Sequence, residues 1–211
     1  MAEGGSGLMV SVSGIRGRVG AALTPEVVSR YAAAFGAWSI RQGKSRKIVV
    51  GRDSRVSGPM FHRIVVGTLQ LAGCDVIDIG LTTTPGCQLA VEHHHAAGGL
   101  MLSASHNPIE WNALKLIGAS GLFLEASEGL AMRALIESGI PYASWPDIGS
   151  VSRDTTPMSC QFAYGIPDSI SARIANPSLA SRNRPLAPIS LSAFHSIGLW
   201  LAESISPPAA W

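Results

Sequence analysis

A serine, a histidine and a lysine lie close together in the segment 103–115, which reads SASHNPIEWNALK. A hydroxyl beside an imidazole, here Ser105 and His106, suits a nucleophile or a carrier of a phosphoryl group. Asn107 stands before a proline, and such a pair is a turn signal that holds a loop in one shape. Lys115 is a point charge suited to a phosphate. An ordinary polar loop with a Ser–His neighbour pair is the other interpretation.

Two further segments carry arginines among glycines: GIRGR at 14–18, with Arg16, and GRDSRVSG at 51–58, with Arg52 and Arg55. Glycines let the backbone approach an anion, and a guanidinium binds phosphate oxygens in a fork. Taken singly, each segment also fits a blander interpretation, a glycine-rich turn or a helix cap with a local Arg52–Asp53 pair. Taken together, the three segments favour phosphoryl transfer, which depends on positioning and charge neutralisation.

The elements that must position these residues alternate along the chain. Apolar runs predict strands at 8–13, 47–50, 75–79, 98–102 and 115–117. Capping signals predict helices that begin near Thr24, Ser57, Thr84 and Glu125. This order predicts an α/β fold of three layers, a mostly parallel or mixed sheet with helices on both faces. Ligands of such sheets bind beyond the C-terminal strand ends, so the loops after Ser13, Val50, Ile79 and Leu102 are expected to carry the chemistry.

Composition excludes several classes of function. Charged residues make up 14% of the 211, below the ~25% usual for a soluble domain, and the mean hydropathy is +0.26. No apolar run approaches the ~18 residues of a membrane span, and a net charge of +2 is too even to indicate nucleic acid. Three cysteines without a CxxC pair and an N-terminus without a signal pattern predict a cytoplasmic location. Oligomeric state stays open.

Composition also divides the chain near residue 150. Residues 1–150 contain 21 of the 23 glycines and all three lysines, which predicts one domain there. Residues 151–211 contain 11 serines, 7 prolines and no lysine, and they show no sustained helical or strand period. An irregular C-terminal tail is therefore predicted at 151–211.

Four motifs in order resemble those of one family, the α-D-phosphohexomutases. SASHNP at 103–108 resembles their phosphoserine loop, and SGIRG at 13–17 their N-terminal arginine loop. GRDSR at 51–55 and GLTTTP at 80–85 resemble two further conserved segments. Within the family, the segment 109–115 is most similar to the bacterial phosphoglucosamine mutase branch, with the phosphomannomutase/phosphoglucomutase branch next. The predicted domain 1–150 then corresponds to domain I of the family.

The resemblance implies a mechanism. Ser105 would carry a phosphoryl group and exchange it with a phosphosugar substrate, expected to be glucosamine phosphate, so that phosphate moves between its 6- and 1-positions through a bisphosphate. Arg16 and Lys115 would stabilise phosphate charge and tune the proton transfer, with His106 as a neighbouring catalytic or orienting group. Mg²⁺ would bind Ser105 through its phosphate. Phosphate-binding residues implied by the motifs are Arg16, Arg52, Arg55, Asn107 and Lys115.

This sequence departs from the family pattern in two ways. Ala113 stands where most members have glycine, and no DGDxDR-like magnesium loop is found. Family members have four domains and need roughly twice this length, so the chain is expected to be a truncated fragment with little or no mutase activity. The hypothesis for residues 151–211 is a frameshifted tail. A non-catalytic phosphosugar-binding module, or a subunit of a split enzyme, is the alternative; a serine hydrolase lacks its G-x-S-x-G elbow.

Overall fold

Strands and helices alternate in the computed structural model, which describes residues 7–11, 14–43 and 45–154. The helices are α1 (Pro25–Arg41), α2 (Gly58–Leu71), α3 (Thr84–His93) and α4 (Ala126–Ser138), with a short 3-10 helix at Trp145–Asp147. The strands are β1 (Met9–Ser11), β2 (Gly14–Arg18), β3 (Lys47–Arg52), β4 (Asp75–Leu81), β5 (Gly98–Leu102), β6 (Trp111–Gly118) and β7 (Val151–Arg153). All four helices and five of these strands occupy the regions predicted from the sequence.

Side-chain capping explains where α1 and α3 begin. Thr24 Oγ1 accepts a hydrogen bond from the backbone N–H of Val27 at the start of α1. The N-cap of α3 is Thr83, whose Oγ1 accepts from the N–H of Gly86. Thr84, the predicted starting residue, is thus the first residue inside α3, and its hydroxyl is not the cap.

The sheet is mixed, with the strand order β1-β2-β6-β5-β3-β4-β7. Along this order, neighbouring strands from β1 to β5 pair antiparallel, and neighbouring strands from β5 to β7 pair in parallel. The predicted α/β class, with helices on both faces of a mixed sheet, is confirmed. The antiparallel half follows from the short connection of eight residues between β5 and β6, since a parallel crossover needs about a dozen or more.

Alternating strand residues bury two separate cores, one on each face. Ile48 and Val50 of β3 belong to the larger core with residues of α1, α2 and α4, while Val49 between them belongs to the smaller core with residues of α3. Successive side chains of a strand point to opposite faces, so a continuous apolar run such as β3 is buried on both. Helix α3 therefore covers one face of the sheet, and the other three helices cover the opposite face.

Two details of the predicted strands are wrong, and two strands, β2 and β7, were not predicted. Within the predicted strand 8–13, β1 covers Met9–Ser11 and residues 12 and 13 lie outside the described residues. Strand β1 pairs antiparallel with β2, so Arg16 lies inside a strand and not in a loop after one. Because two of the five residues of β2 are glycines, its sequence does not show the alternation of apolar and polar residues that is typical of a strand. Strand β6 begins at Trp111, four residues before its predicted start, and β7 extends the sheet past the predicted boundary at 150. The rest of the predicted tail, 155–211, lies outside the described residues.

None of the helices in the described segments combines the length and the hydropathy that crossing a bilayer requires.

Phe35 of α1 tests the larger core. Its side chain is fully buried beside Trp38, with ring centroids 6.1 Å apart. Phe35→Ala is expected to lower the free energy of unfolding by about 3–5 kcal/mol, because it loses apolar burial and leaves a cavity. Urea titration of the full chain by far-UV circular dichroism measures this. The control is the exposed Arg30 of the same helix, where Arg30→Ala should change stability by less than about 0.5 kcal/mol. Equal losses in the two variants would contradict this assignment of the core.

Candidate active site

A cleft of about 210 Å³ opens beside β2 and β6, at the segment that follows β5. Arg16 pairs with Ala113 across β2 and β6, and Lys115 pairs with Met101 across β6 and β5. Met101 belongs to the smaller core, so the side chains in register with it point to the face covered by α3. The cleft is lined by Gly14, Arg16, Ser103, Ala104, Ser105, His106, Asn107, Ala113, Lys115 and Phe123.

Small residues keep the floor of this cleft open. Gly14 has a φ of +127°, and a Cβ at this position would collide with the carbonyl oxygen of Leu114. Only glycine therefore allows β2 to approach β6 this closely. Ala113 contributes no more than a methyl group. The space above these two residues is left to the longer Arg16 and Lys115.

Ser105 stands in a turn with a left-handed backbone, at a φ of +53°. A non-glycine residue in this region costs about 1–3 kcal/mol and needs support from its surroundings. The backbone N–H of Ser105 donates to Ser103 Oγ at 3.2 Å, and the N–H of Asn107 donates to the carbonyl of Ala104 at 3.1 Å. Together these bonds close the turn that exposes the Ser105 side chain at the cleft.

The guanidinium of Arg55 holds this turn through its backbone carbonyls. It donates four hydrogen bonds of 2.6–3.0 Å to backbone carbonyls, those of Ser105, Asn107, Pro108 and Trp111. Its side chain is only 12% exposed. Hydrogen bonds from a charged donor are worth about 1.5–3 kcal/mol each before non-additivity is considered. One side chain thus fixes the turn from Ser105 to the start of β6.

Asp53 aligns Arg55. Its Oδ2 lies 3.4 Å from Arg55 Nε, and its Oδ1 accepts the backbone N–H of Arg55 at 3.0 Å. The N–H of Asp53 donates to the carbonyl of Leu102 at the end of β5. The local Arg52–Asp53 pair considered from the sequence is therefore replaced by an Asp53–Arg55 pair. Arg52 instead donates from Nη1 to the carbonyl of Asp53 at 3.3 Å.

Lys115 places its ammonium group against the serine. Nζ donates to Ser105 Oγ at 2.9 Å and to Thr84 Oγ1, on the first residue of α3, at 3.1 Å. Among the described residues, no carboxylate lies within ion-pair distance of Nζ. The ammonium is thus held by two neutral hydroxyls, and its charge is available to an anion in the cleft.

The surroundings of Lys115 lower its pKa. Burial is the largest cause, since it removes solvation from the charged form; Asp53 opposes the shift, and the nearby guanidinium of Arg16 adds to it. A lowered pKa increases the fraction of neutral amine at a given pH. This amine is within hydrogen-bonding distance of a hydroxyl and can therefore accept its proton.

The cleft brings together five of the seven predicted site residues: Arg16, Ser105, His106, Asn107 and Lys115. Arg52 and Arg55 do not line it. The donors of Arg55 are directed at the turn, which makes this residue a support of the serine's backbone. Arg52 lies at the end of β3 with its guanidinium on the neighbouring backbone.

Three residues of the site were not predicted from the sequence. Thr84 binds Lys115, Asp53 aligns Arg55, and Phe123, 37% exposed, forms an apolar wall of the cleft. For Thr84 a signal exists in the run Thr82-Thr83-Thr84, because a helix has a single N-cap position and the neighbouring hydroxyl is left for another partner. No sequence signal indicates Phe123, which reaches the cleft only because its segment bridges to β6 at Ile117.

The described residues do not by themselves fit Mg²⁺. A hard dication requires several oxygen ligands, mostly carboxylates. The lining of the cleft contains no Asp or Glu, and no cluster of three or more His, Cys, Asp or Glu side chains occurs within the described part of the chain. Arg16 and Lys115 would also repel a cation. Magnesium at Ser105 stays a prediction from the resemblance.

Fold and site together define an α/β/α domain that presents a serine hydroxyl to a lysine in a cationic cleft. The sequence profile described as "Phosphoglucomutase/phosphomannomutase, alpha/beta/alpha domain I" matches residues 8–142. The chain belongs to this family of phosphohexomutases, whose members are isomerases.

Comparisons with individual proteins agree with the family. The chain is 37% identical over 150 residues to a phosphoglucomutase/phosphomannomutase of Thermococcus kodakarensis, covering 70% of this chain and 33% of the relative. It is 42% identical over 133 residues to a phosphoglucosamine mutase of Synechococcus sp., covering 62% and 28%. A crystal structure of a phosphoglucomutase/phosphomannomutase family protein from Burkholderia thailandensis superposes with a TM-score of 0.60 at 25% identity, covering 72% and 35%. The chain spans about a third of the length of the curated relatives it matches.

Arg55→Lys tests the support of the turn. A lysine keeps the charge but cannot donate to four carbonyls in a planar fork, so the turn is expected to open more often. Amide hydrogen exchange of a peptide containing Asn107 and Trp111, followed by mass spectrometry, should become about tenfold faster or more, as expected for losing about 1.4 kcal/mol or more. The matched control is Arg52→Lys, which removes one backbone contact of 3.3 Å outside the turn. Equal exchange in the two variants would refute the support role.

Lys115 should lose its proton below the ordinary lysine pKa of 10.5, because its ammonium is partly desolvated and faces Arg16. NMR titration of the lysine ε-methylene signals measures this, and with three lysines in the chain the Lys115→Arg variant assigns the resonance. Arg16→Ala should raise the midpoint, because it removes a like charge. A midpoint at 10.5 or above in the unsubstituted chain would contradict the description of the site.

Proposed function

We propose that Ser105 carries a phosphoryl group and that the chain is the phosphoserine domain of a phosphohexomutase. This enzyme class moves phosphate between the 6- and 1-positions of a hexose. The observation that carries the proposal is the 2.9 Å contact between Lys115 Nζ and Ser105 Oγ inside a cleft whose other long polar side chain is Arg16. A nucleophile, its base and an anion-binding charge are thus in contact or close together.

Proton transfer at Ser105 Oγ follows from this contact. When a sugar bisphosphate phosphorylates the serine, neutral Lys115 accepts the hydroxyl proton as the P–Oγ bond forms and the bond from phosphorus to the sugar oxygen breaks. The sugar oxygen takes up a proton from solvent. In the reverse direction, the Lys115 ammonium returns the proton to Oγ as the P–Oγ bond breaks, and the sugar hydroxyl loses its proton to solvent. The lowered pKa of Lys115 supports both roles, because a general acid–base catalyst works best when its pKa lies near the operating pH.

Positive charge without carboxylates supports a phosphorylated substrate. Arg16 and Lys115 face the space above Ser105, and His106 lies exposed beside it. A transferring phosphoryl group develops charge on its equatorial oxygens, which fixed donors stabilise. Asn107 and His106 line the same cleft and are placed to orient the sugar phosphate. For Arg52 we keep the phosphate-binding role implied by the motif, although its side chain does not line the cleft.

The substrate we propose is glucosamine phosphate. The support is the similarity of 109–115 to one branch of the family and the names of several relatives, which are phosphoglucosamine mutases. We further propose a cytoplasmic location, supported by the free thiols of Cys74 and Cys87, both buried in the cores. The whole mutase cycle is proposed for the longer proteins of the family; for this chain we propose the phosphoserine half-reaction.

Mass spectrometry of the full chain tests the proposal. After incubation with glucosamine 1,6-bisphosphate, the chain should gain the mass of one phosphoryl group, and peptide mapping should place it on Ser105 rather than Ser103. Ser105→Ala should gain none. In Lys115→Ala the rate of phosphorylation should fall by about 100-fold or more, as expected for the loss of a general base. Binding of inorganic phosphate without any phosphorylation would contradict the proposed enzymatic function and favour a phosphosugar-binding module.

A further inference from the structure

Two adjacent threonines at the start of α3 have different tasks. Thr83 is the N-cap, and its Oγ1 accepts the N–H of Gly86. Thr84 is the first helical residue, and its Oγ1 accepts from Lys115 Nζ at 3.1 Å. Because the cap position is already filled, the hydroxyl of Thr84 is not needed to begin the helix. Its described side-chain contact is with the lysine that faces Ser105.

The position of Thr84 is set by rigid parts of the fold. Helix α3 packs against the central strands through Cys87, Ala90 and Val91, all fully buried in the smaller core. Lys115 lies on the face of β6 that this helix covers, between Ala113 on the cleft floor and the buried Ile117. The N-terminus of α3 therefore meets the end of the Lys115 side chain at a fixed place.

A lysine side chain has four rotatable bonds and no preferred direction of its own. One contact to Ser105 Oγ leaves Nζ free to swing about that oxygen. With a second contact, to Thr84 Oγ1, two of the bonding directions at Nζ are fixed. The remaining N–H or lone-pair directions then have defined orientations as well. In the neutral amine, an N–H directed at Thr84 leaves the lone pair available to Ser105.

We propose that Thr84 is a positioning residue for phosphoryl transfer at Ser105, holding Lys115 Nζ in line with Oγ. The inference rests on the proposed function. Thr84 accepts an N–H of Lys115 both before and after the proton of Ser105 Oγ–H has moved to Nζ, so it neither gains nor loses a proton in the step. The P–Oγ bond forms and the phosphorus–sugar oxygen bond breaks without any contribution of electrons from Thr84.

Thr84→Val is the test, since valine has nearly the same shape and lacks the hydroxyl. The first-order rate of Ser105 phosphorylation by glucosamine 1,6-bisphosphate should fall about tenfold or more, because a misplaced base loses much of its effect. The bisphosphate concentration that gives half the maximal rate should stay the same, since Thr84 does not line the cleft. Thr84→Ser keeps the hydroxyl and should restore the rate to within about threefold.

The titration of Lys115 provides a readout that a structural role alone would not move. Loss of an acceptor for the charged form should shift the NMR midpoint of Lys115 to lower pH in Thr84→Val, while Arg16, Asp53 and His106 around it are unchanged. Thr83→Val is the matched control. It removes the cap and should cost about 1 kcal/mol of stability, but it should leave the phosphorylation rate and the Lys115 midpoint unchanged.

The outcomes separate the two proposals. If the unsubstituted chain becomes phosphorylated and Thr84→Val reacts at the same rate with the same Lys115 midpoint, the positioning role is overturned and the proposed function stands. If the unsubstituted chain is not phosphorylated at all, the proposed function fails and the positioning role fails with it. A rate loss that Thr84→Ser does not restore also counts against the hydroxyl.

Discussion

The bonds from Arg55 to the backbone carbonyls of the turn are the interaction on which the candidate site depends. A serine in the left-handed region is unfavourable, and a turn of this shape has carbonyls that point away from the cleft without partners in the sheet. One guanidinium satisfies four of them and is itself aligned by Asp53. Because Arg55 follows β3 and the turn follows β5, the bonds also join the ends of two neighbouring parallel strands. The mostly buried Arg55–Asp53 pair thus supports the turn that exposes the hydroxyl of Ser105.

The change from parallel to antiparallel pairing supplies the other half of the site. After the turn the chain comes straight back as β6, beside β5, and β2 adds to its far side. Residues two apart on a strand share a face, so Ala113 and Lys115 lie above the same side of the sheet, with Arg16 in register beside them. A crossover helix at this point would have removed Lys115 from Ser105. Because the chain returns antiparallel, Lys115 lies ten residues after Ser105 in sequence and its Nζ lies 2.9 Å from Ser105 Oγ.

Much of this architecture is predictable from local signals, and the exceptions have physical causes. Capping signals and apolar runs predict the four helices and the buried strands, because these features act over a few residues. The cationic character of the cleft is predictable too, since Arg16 and Lys115 belong to recognisable motifs. The role of Arg55 is not, because a guanidinium that binds phosphate and one that binds carbonyls look the same in sequence. Thr84 and Phe123 reach the site through contacts between distant segments, and only the register of β6 and the packing of α3 determine those.

Hydroxyls, and not a carboxylate, hold Lys115 for a reason that follows from its proposed task. An aspartate in place of Thr84 would bind the ammonium more strongly, but it would favour the charged form and raise the pKa of the lysine. It would also bring a negative charge to the cleft proposed to accept a phosphate dianion, at a distance where repulsion is substantial in a partly buried site. A neutral acceptor fixes the direction of Nζ without either effect. The carboxylate of Asp53 pairs with Arg55, which it aligns, and does not line the cleft, so the same pair that supports the turn also leaves the positive charge of the site available to an anion.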